Sequence, residues 1–459
     1  MKRLLSIIIL AVMLLSLSGC KRFEDMSING VSITEYQIVC DKEGLDYDLR
    51  AAEYVRGSIE QLTGTALEIV DDAEAVGAHE IVIGKTARQI SAEVNTELSG
   101  VEFSMLAKGG NVALYGNYFV VAAAAYYFVD TYVKGGDVEI LDGALTRTPI
   151  VKEAKSYMLL IGDGMGKNQT LLHNYLEDTT DYSDGEDLFY GYMLPYHGYS
   201  RTDSFSGTTD SAAGGTALAT GYKTLNKYVG IDKDGNELKS LTELSFELGK
   251  ASAVMSTELS TGATPASFSA HSDGRNNSTD IRNDQEALTA NNGTIINCRP
   301  FTQYSERYLK NNEARIVETL DTLKADKDGF FLMYEEAHID KHCHNNDIDK
   351  TFLALLSFNQ AIARFMEYAF YNPDTLVIIT ADHETGALLE NGDGTLSYNS
   401  EEHSSANVPI FAWGYGTEFF DGKEVENIEI AHFISSAMGV DDFGDRTNGW
   451  YNEIYGGGN

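Results

Sequence analysis

Proline is scarce in this chain, 6 in 459 residues, and no low-complexity tract occurs, which excludes long disordered linkers. Positive charge is scarce as well. Against 34 Lys and Arg stand 69 Asp and Glu, and the formal charge of -35 repels nucleic acid and anionic lipid head groups. Of the 4 cysteines, Cys20 lies at the N-terminal end; Cys40, Cys298 and Cys343 form an odd set, so a disulfide framework is not indicated. No Gly-x-Ser-x-Gly elbow occurs, which counts against a lipase-type serine esterase. The apolar run from Phe119 to Val129 falls short of the roughly 20 residues a membrane span needs and reads as a buried helix. What remains is a globular composition, 43% hydrophobic and 10% aromatic, ample for sizeable cores. An acidic surface does not attract an anionic substrate. A site for one needs locally concentrated positive charge, most easily from metal ions.

The N-terminus carries Lys2 and Arg3, an apolar run from Leu4 to Leu17, and then Ser18, Gly19 and Cys20. This is a signal peptide pattern over residues 1–19. Its Leu-Ser-Gly-Cys ending resembles a bacterial lipoprotein cleavage box, which implies that Cys20 is lipidated and holds the mature protein at the outer face of the cell membrane.

From 27 to 150 strands and helices alternate. Val31 to Val39 reads as a strand, and Leu49, Ala52, Val55, Ile59 and Leu62 mark a helix ended by Gly64. Strands follow at Leu67 to Val70, Glu80 to Gly84, Phe103 to Ala107 and Asn111 to Gly116, then the buried helix from Tyr118. This is a small α+β unit. Its order, and the segment from Ala107 to Gly116, resemble the accessory domain of family-20 and α-glucuronidase-type glycoside hydrolases.

Residues 151–459 read as a catalytic α/β domain, a mostly parallel central sheet flanked by helices. The expected strands are Tyr157 to Ile161, Ala251 to Ser256, Phe330 to Tyr334, Leu376 to Thr380 and Val408 to Trp413, with a helix through Leu238, Leu241, Leu244 and Leu248. Ligands bind beyond the carboxyl ends of such strands. Asp163, Glu335, Asp382 and His383 sit just past strand ends, and Asp340 with His344 follows close behind. With His403 these oxygen and nitrogen donors suit zinc in a two-metal hydrolase. Each fragment alone is weak, since an Asp-His pair at a strand end more often caps a helix. Cys343 lies between two histidines but is more often a bystander there. Asp210 or Ser211, in Thr209-Asp-Ser-Ala-Ala213, could be a helix N-cap. As chemistry, a serine at a helix N-terminus gains from the dipole and from free N–H groups, which favour an alkoxide and a bound phosphate.

Ile161-Gly-Asp-Gly-Met-Gly166, Thr209-Asp-Ser-Ala-Ala213, Ala263-Thr-Pro-Ala266 with Arg275, Glu335 followed by Asp340 and His344, Thr380-Ala-Asp-His383 and Glu402-His403 resemble the alkaline phosphatase family in identity, order and approximate spacing. The resemblance spans about residues 155 to 415. It implies that Asp340, His344 and His403 hold one Zn2+ and that Asp163, Asp382 and His383 hold a second beside the nucleophile Ser211. Asp163, Thr264 and Glu335 would hold Mg2+. Arg275 would grip two phosphate oxygens and Lys341 would reach phosphate through water. The implied reaction is hydrolysis of small phosphate monoesters through a phosphoserine intermediate. Diester or sulfate cleavage suits the Arg275 fork less well, and a non-enzymatic relic would lack ligands that are all present here. The oligomeric state stays open, with a homodimer among the options.

Three departures stand out. Gly262 lies where relatives often place an Asp or His around the third metal, so weaker, exchangeable Mg2+ is expected. Gly214 and Gly215 interrupt the helix after Ser211, each costing about 1 kcal/mol relative to Ala. The stretch between Arg275 and Glu335 is short for the family.

Overall fold

A computed structural model describes residues 26–136, 139–140, 142–172, 188–301, 303–392 and 395–455. The signal sequence and Cys20 lie outside the described residues. By its contacts the chain divides into two compact units, one of residues up to 150 with Phe370–Pro373 and one of the remainder.

In the first unit six strands run in the order 69–71, 36–40, 79–83, 111–116, 103–108 and 143–147. The first four are mutually parallel and the last two join antiparallel. The helix Asp46–Thr63 buries Ala52, Val55, Ile59 and Leu62, one face at a 3.6-residue period, and ends at Gly64 with φ 80°. The apolar stretch expected as one helix is a 3-10 turn, the helix Val121–Phe128 and a π turn at Val129–Val133.

The second unit is built on an eight-stranded sheet, in the order 295–298, 251–256, 330–336, 156–162, 375–380, 408–413, 196–201 and 424–426. The first five strands are parallel. Val408–Trp413 then runs antiparallel to both its neighbours. The sheet is therefore mostly parallel, as expected: Val408–Trp413, itself a buried apolar run, is the one reversed strand, and Tyr196–Arg201 and Glu424–Glu426 beyond it run in the same direction as the first five. Every residue of Ser156–Gly162, Phe330–Glu336 and Thr375–Thr380 is buried, which is why these segments read as continuous apolar runs. Helices cover them. Ile348–Tyr371 buries Leu355, Phe358, Ile362, Phe365 and Met366 along one stripe, each full burial contributing about 1.5–3 kcal/mol. The helix expected from Leu238 begins at Leu241, because Ser240 and Glu243 form a capping box that fixes its start.

Candidate metal centre and nucleophile

The C-terminal ends of three adjacent central strands open onto one place. Asp163 follows Ser156–Gly162, Asp382 and His383 follow Thr375–Thr380, and Glu335, expected just past its strand, is instead the penultimate residue of the strand Phe330–Glu336. A short helix, His338–Cys343, carries Asp340 and Lys341, with His344 as its C-cap. His403 arrives on a two-stranded ribbon in which Thr385 pairs with His403. Its ring stacks on that of His383, centroids 3.6 Å apart.

The proton placement on these rings follows from their partners. His344 Nδ1 meets the Glu401 carbonyl and His403 Nδ1 the Thr209 carbonyl at 2.9 Å, so each Nδ1 is the donor. Their Nε2 lone pairs therefore face each other at 3.1 Å, with Asp340 Oδ1 at 3.3 and 3.5 Å. Three lone pairs converge with no proton between them. A bound cation makes that arrangement favourable.

A second cluster surrounds His383 Nε2. Asp163 Oδ1 lies at 3.4 Å, Asp382 Oδ2 at 3.3 Å and Ser211 Oγ at 3.2 Å. His383 Nδ1 is 3.2 Å from Thr385 Oγ1, whose hydroxyl donates to Asp340 Oδ1 at 2.6 Å. The accepting hydroxyl leaves the proton on Nδ1 and the lone pair on Nε2. Asp340 belongs to both clusters, a sharing that the sequence reading does not anticipate. Thr385 is the residue that reading misses, because a threonine two places past a histidine carries no signal until the fold brings Asp340 to it.

Charge in this region is unbalanced. Asp163, Glu335, Asp340 and Asp382 are 4%, 0%, 7% and 0% exposed. Burial, and then the Asp382 and Asp340 charges, push Asp163 well above the usual carboxylate range; burial and Asp340 push Asp382 up to about 7. Burial, with His403 beside it, holds His383 well below the ordinary histidine value. Asp163 Oδ1, Asp382 Oδ2, Glu335 Oε1 and Thr264 Oγ1 are buried without a hydrogen-bond partner among the described residues. Buried acceptors of this kind fit bound cations. The all-oxygen set of Thr264, Glu335 and Asp163 fits a hard cation, and the His and Asp sets fit zinc.

Ser211 opens the helix Ser211–Thr220, and the capping role falls to Asp210, whose side chain accepts from the Ala213 N–H at 3.0 Å. Ser211 is thereby left to face His383. Asp210 also receives Arg275 Nη1 at 3.1 Å, which steadies the guanidinium beside the serine. Lys341 is turned to Glu258, Nζ to Oε2 2.6 Å. Gly214 and Gly215 now have a physical reason. A Cβ at Gly214 would stand 2.8 Å from the Asp382 carbonyl oxygen, and one at Gly215 3.1 Å from Ser267 Oγ and 3.3 Å from Thr264 Cα. Their smallness lets the serine helix lie against both metal-binding segments. Cys343 stands apart: its thiol contacts Tyr398 and Thr351, burial pushes it up to about 12, and it remains a neutral bystander. Cys40 and Cys298 are likewise unpaired.

Residues 154–300 and 309–395 match the family model described as alkaline phosphatase. Alkaline phosphatase 3 of Bacillus subtilis (strain 168) is 30% identical over 326 residues, covering 60% of this chain and 70% of that protein. The alkaline phosphatase of the Antarctic bacterium TAB5 superposes with a TM-score of 0.55 at 25% identity, covering 63% of this chain and 99% of its own. A variant of that enzyme with Mg bound in its M3 site superposes at 0.54 and 24% identity, with the same coverage. The matched segments carry both donor clusters up to His383 together with Ser211, and on these grounds the chain belongs to the alkaline phosphatase family.

Proposed function

We propose that this chain hydrolyses phosphate monoesters with Ser211 as nucleophile, and the observation that carries the reading is Ser211 Oγ at 3.2 Å from His383 Nε2, beside the Asp163 and Asp382 carboxylates. Asp340, His344 and His403 hold one Zn2+; Asp163, Asp382 and His383 hold a second; Asp163, Thr264 and Glu335 hold Mg2+. Bound there, the ions supply Lewis-acid charge that lowers the pKa of the serine hydroxyl and offsets charge on the transferring phosphoryl group. Ser211 attacks phosphorus in line from the helix N-terminus, whose free N–H groups favour the anion. The alcohol leaves, and water attacks the phosphoserine from the opposite side to release phosphate and restore Ser211. Arg275, with one nitrogen held by Asp210, offers the rest of its planar fork to two phosphate oxygens. A diester presents fewer terminal oxygens to that fork.

The test is turnover of an aryl phosphate against the matching diester and sulfate, by the purified chain with zinc and magnesium and by Ser211→Ala. Monoester turnover that disappears in the variant is the expected result. Turnover unchanged by Ser211→Ala would sink the mechanism.

The lipidated Cys20 anchors the protein outside the cytoplasm, a reading supported by the Leu-Ser-Gly-Cys ending. Among the described residues no helix is long and apolar enough to cross a membrane. Cys20→Ser should move activity from the membrane fraction to the soluble one, and activity that stays with membranes argues against the anchor. Residues 27–150 form an accessory unit of the glycoside-hydrolase type that acts as a spacer, and residues 151–459 form the catalytic domain. Deleting the accessory unit should leave turnover of a soluble aryl phosphate intact; its loss would give that unit a part in the site.

A further inference from the structure

Gly262 has no side chain to offer the oxygen cluster formed by Thr264, Glu335 and Asp163. The space beside it is nevertheless filled. A Cβ placed on Gly262 would come 1.8 Å from Glu258 Oε1 and 2.2 Å from its Cδ, so the carboxylate of Glu258 occupies the position a side chain at 262 would take. Its other oxygen, Oε2, receives Lys341 Nζ at 2.6 Å. The Glu258 N–H donates to Ser256 Oγ at 2.9 Å, and that hydroxyl in turn donates to Glu335 Oε2. One serine thus fixes the backbone of Glu258 and the carboxylate of Glu335 together. The Glu258 side chain is only 18% exposed. After burial, its charge is the main influence pushing Glu335 upward.

Setting one largely buried carboxylate against another is unfavourable unless cations are shared between them. Lys341 supplies one positive charge. Glu335 Oε1, Thr264 Oγ1 and Asp163 Oδ1, buried and without hydrogen-bond partners among the described residues, point to a second. Magnesium keeps several waters of its own and binds through few direct protein oxygens, so a carboxylate just outside the ion holds its hydration shell. Glu258, Gly262 and Lys341 also line a cavity of about 310 Å3, which gives that water a route to the carboxylate.

We propose that Glu258 is the positioning residue of the third, hard-cation site: reaching in from the preceding turn, it does from 258 what a side chain at 262 would do, ordering the water shell of Mg2+ while holding Lys341 in place. This rests on the phosphatase reading of the site. It replaces the expectation of weak Mg2+ binding drawn from Gly262 alone. It also ties Gly262 to Glu258, since a side chain at 262 displaces the Glu258 carboxylate.

The experiment is calorimetric titration of Mg2+ into the zinc-loaded full chain, with zinc content and aryl phosphate turnover measured on the same samples. Four proteins are compared: the parent, Glu258→Gln, Gly262→Asp, and Glu258→Gly combined with Gly262→Asp. Glu258→Gln should weaken Mg2+ binding by about 10- to 100-fold with zinc content unchanged. Gly262→Asp alone should weaken it too, because the two side chains collide, and the double variant should recover to within about threefold of the parent. Mg2+ affinity in Glu258→Gln within about twofold of the parent overturns the proposal, as does a parent that takes up no Mg2+. A parent without phosphatase turnover would instead strike at the underlying reading, so the two failures are told apart.

Discussion

Thr385→Val tests whether the two donor clusters proposed to hold zinc are mechanically one unit. The side chain is fully buried and valine has nearly the same shape, so the substitution removes one hydroxyl and little else. That hydroxyl donates to Asp340 Oδ1 at 2.6 Å and accepts from His383 Nδ1 at 3.2 Å. The first bond is charge-assisted and contributes about 1.5–3 kcal/mol; losing the second strands a buried N–H at a cost of about 1–3 kcal/mol. Expressed as metal affinity, loss of such an outer partner weakens binding by about 10- to 100-fold. The informative feature is where the loss falls. Because the hydroxyl stands between an Asp340 oxygen shared by both clusters and the histidine of the second, both zinc ions should weaken together. Equilibrium competition with a chromogenic chelator, read as zinc released per chain, measures this directly. Retention of both ions with parental affinity would refute the reasoning, and so would weakening of one ion alone.

Two further outcomes follow from the packing. Gly214→Ala ought to stabilise a helix by about 1 kcal/mol on propensity alone. Here the methyl meets the Asp382 carbonyl at 2.8 Å, so kcat/KM should fall by about tenfold, equivalent to about 1.4 kcal/mol, with no gain in melting temperature. A more stable, fully active variant would contradict the close-approach account. In the N-terminal unit, burial pushes Asp48 from 3.8 up to about 7. The folded form therefore holds its proton more tightly than the unfolded chain between those values, so the contribution of Asp48 to stability is full below about pH 4 and is lost as pH rises through about 7. The full difference is on the order of 4 kcal/mol as an upper bound. Asp48→Asn should slow hydrogen exchange of the Asp46–Thr63 helix at pH 8 and leave it nearly unchanged at pH 4; equal effects at both would dismiss the linkage.

The central strands were legible because residues buried on both faces leave uninterrupted apolar runs, and donors just past their ends stand out against that background. The two strands at the far edge were not, since only Gly198 and Ser200 of Tyr196–Arg201 are buried and Glu424–Glu426 is too short for any period. Within the site the donors that speak in motifs, such as Asp382-His383, were readable. Thr385 and Glu258 were not, because their partners, Asp340 and Lys341, are fixed only by how the helix His338–Cys343 docks. Gly214 and Gly215 were visible as anomalies of helix propensity. Their cause lies in a neighbouring carbonyl that sequence spacing does not place.

The ribbon that delivers His403 would give the two proposed zinc sites different lifetimes. It consists of two residues per strand, Glu384–Thr385 against His403–Ser404, whereas Asp163 and Asp382 are rooted in the middle of the eight-stranded sheet. Short, partly exposed segments open locally at far lower free energy than a sheet interior. His344 and His403 are 34% and 15% exposed and His383 is 0%. On the proposed assignment, an ion on Asp340, His344 and His403 would leave when the ribbon lifts, with the rest of the enzyme still folded. An ion beside Ser211 is held by donors rooted at the sheet's strand ends, so it should exchange more slowly than its neighbour.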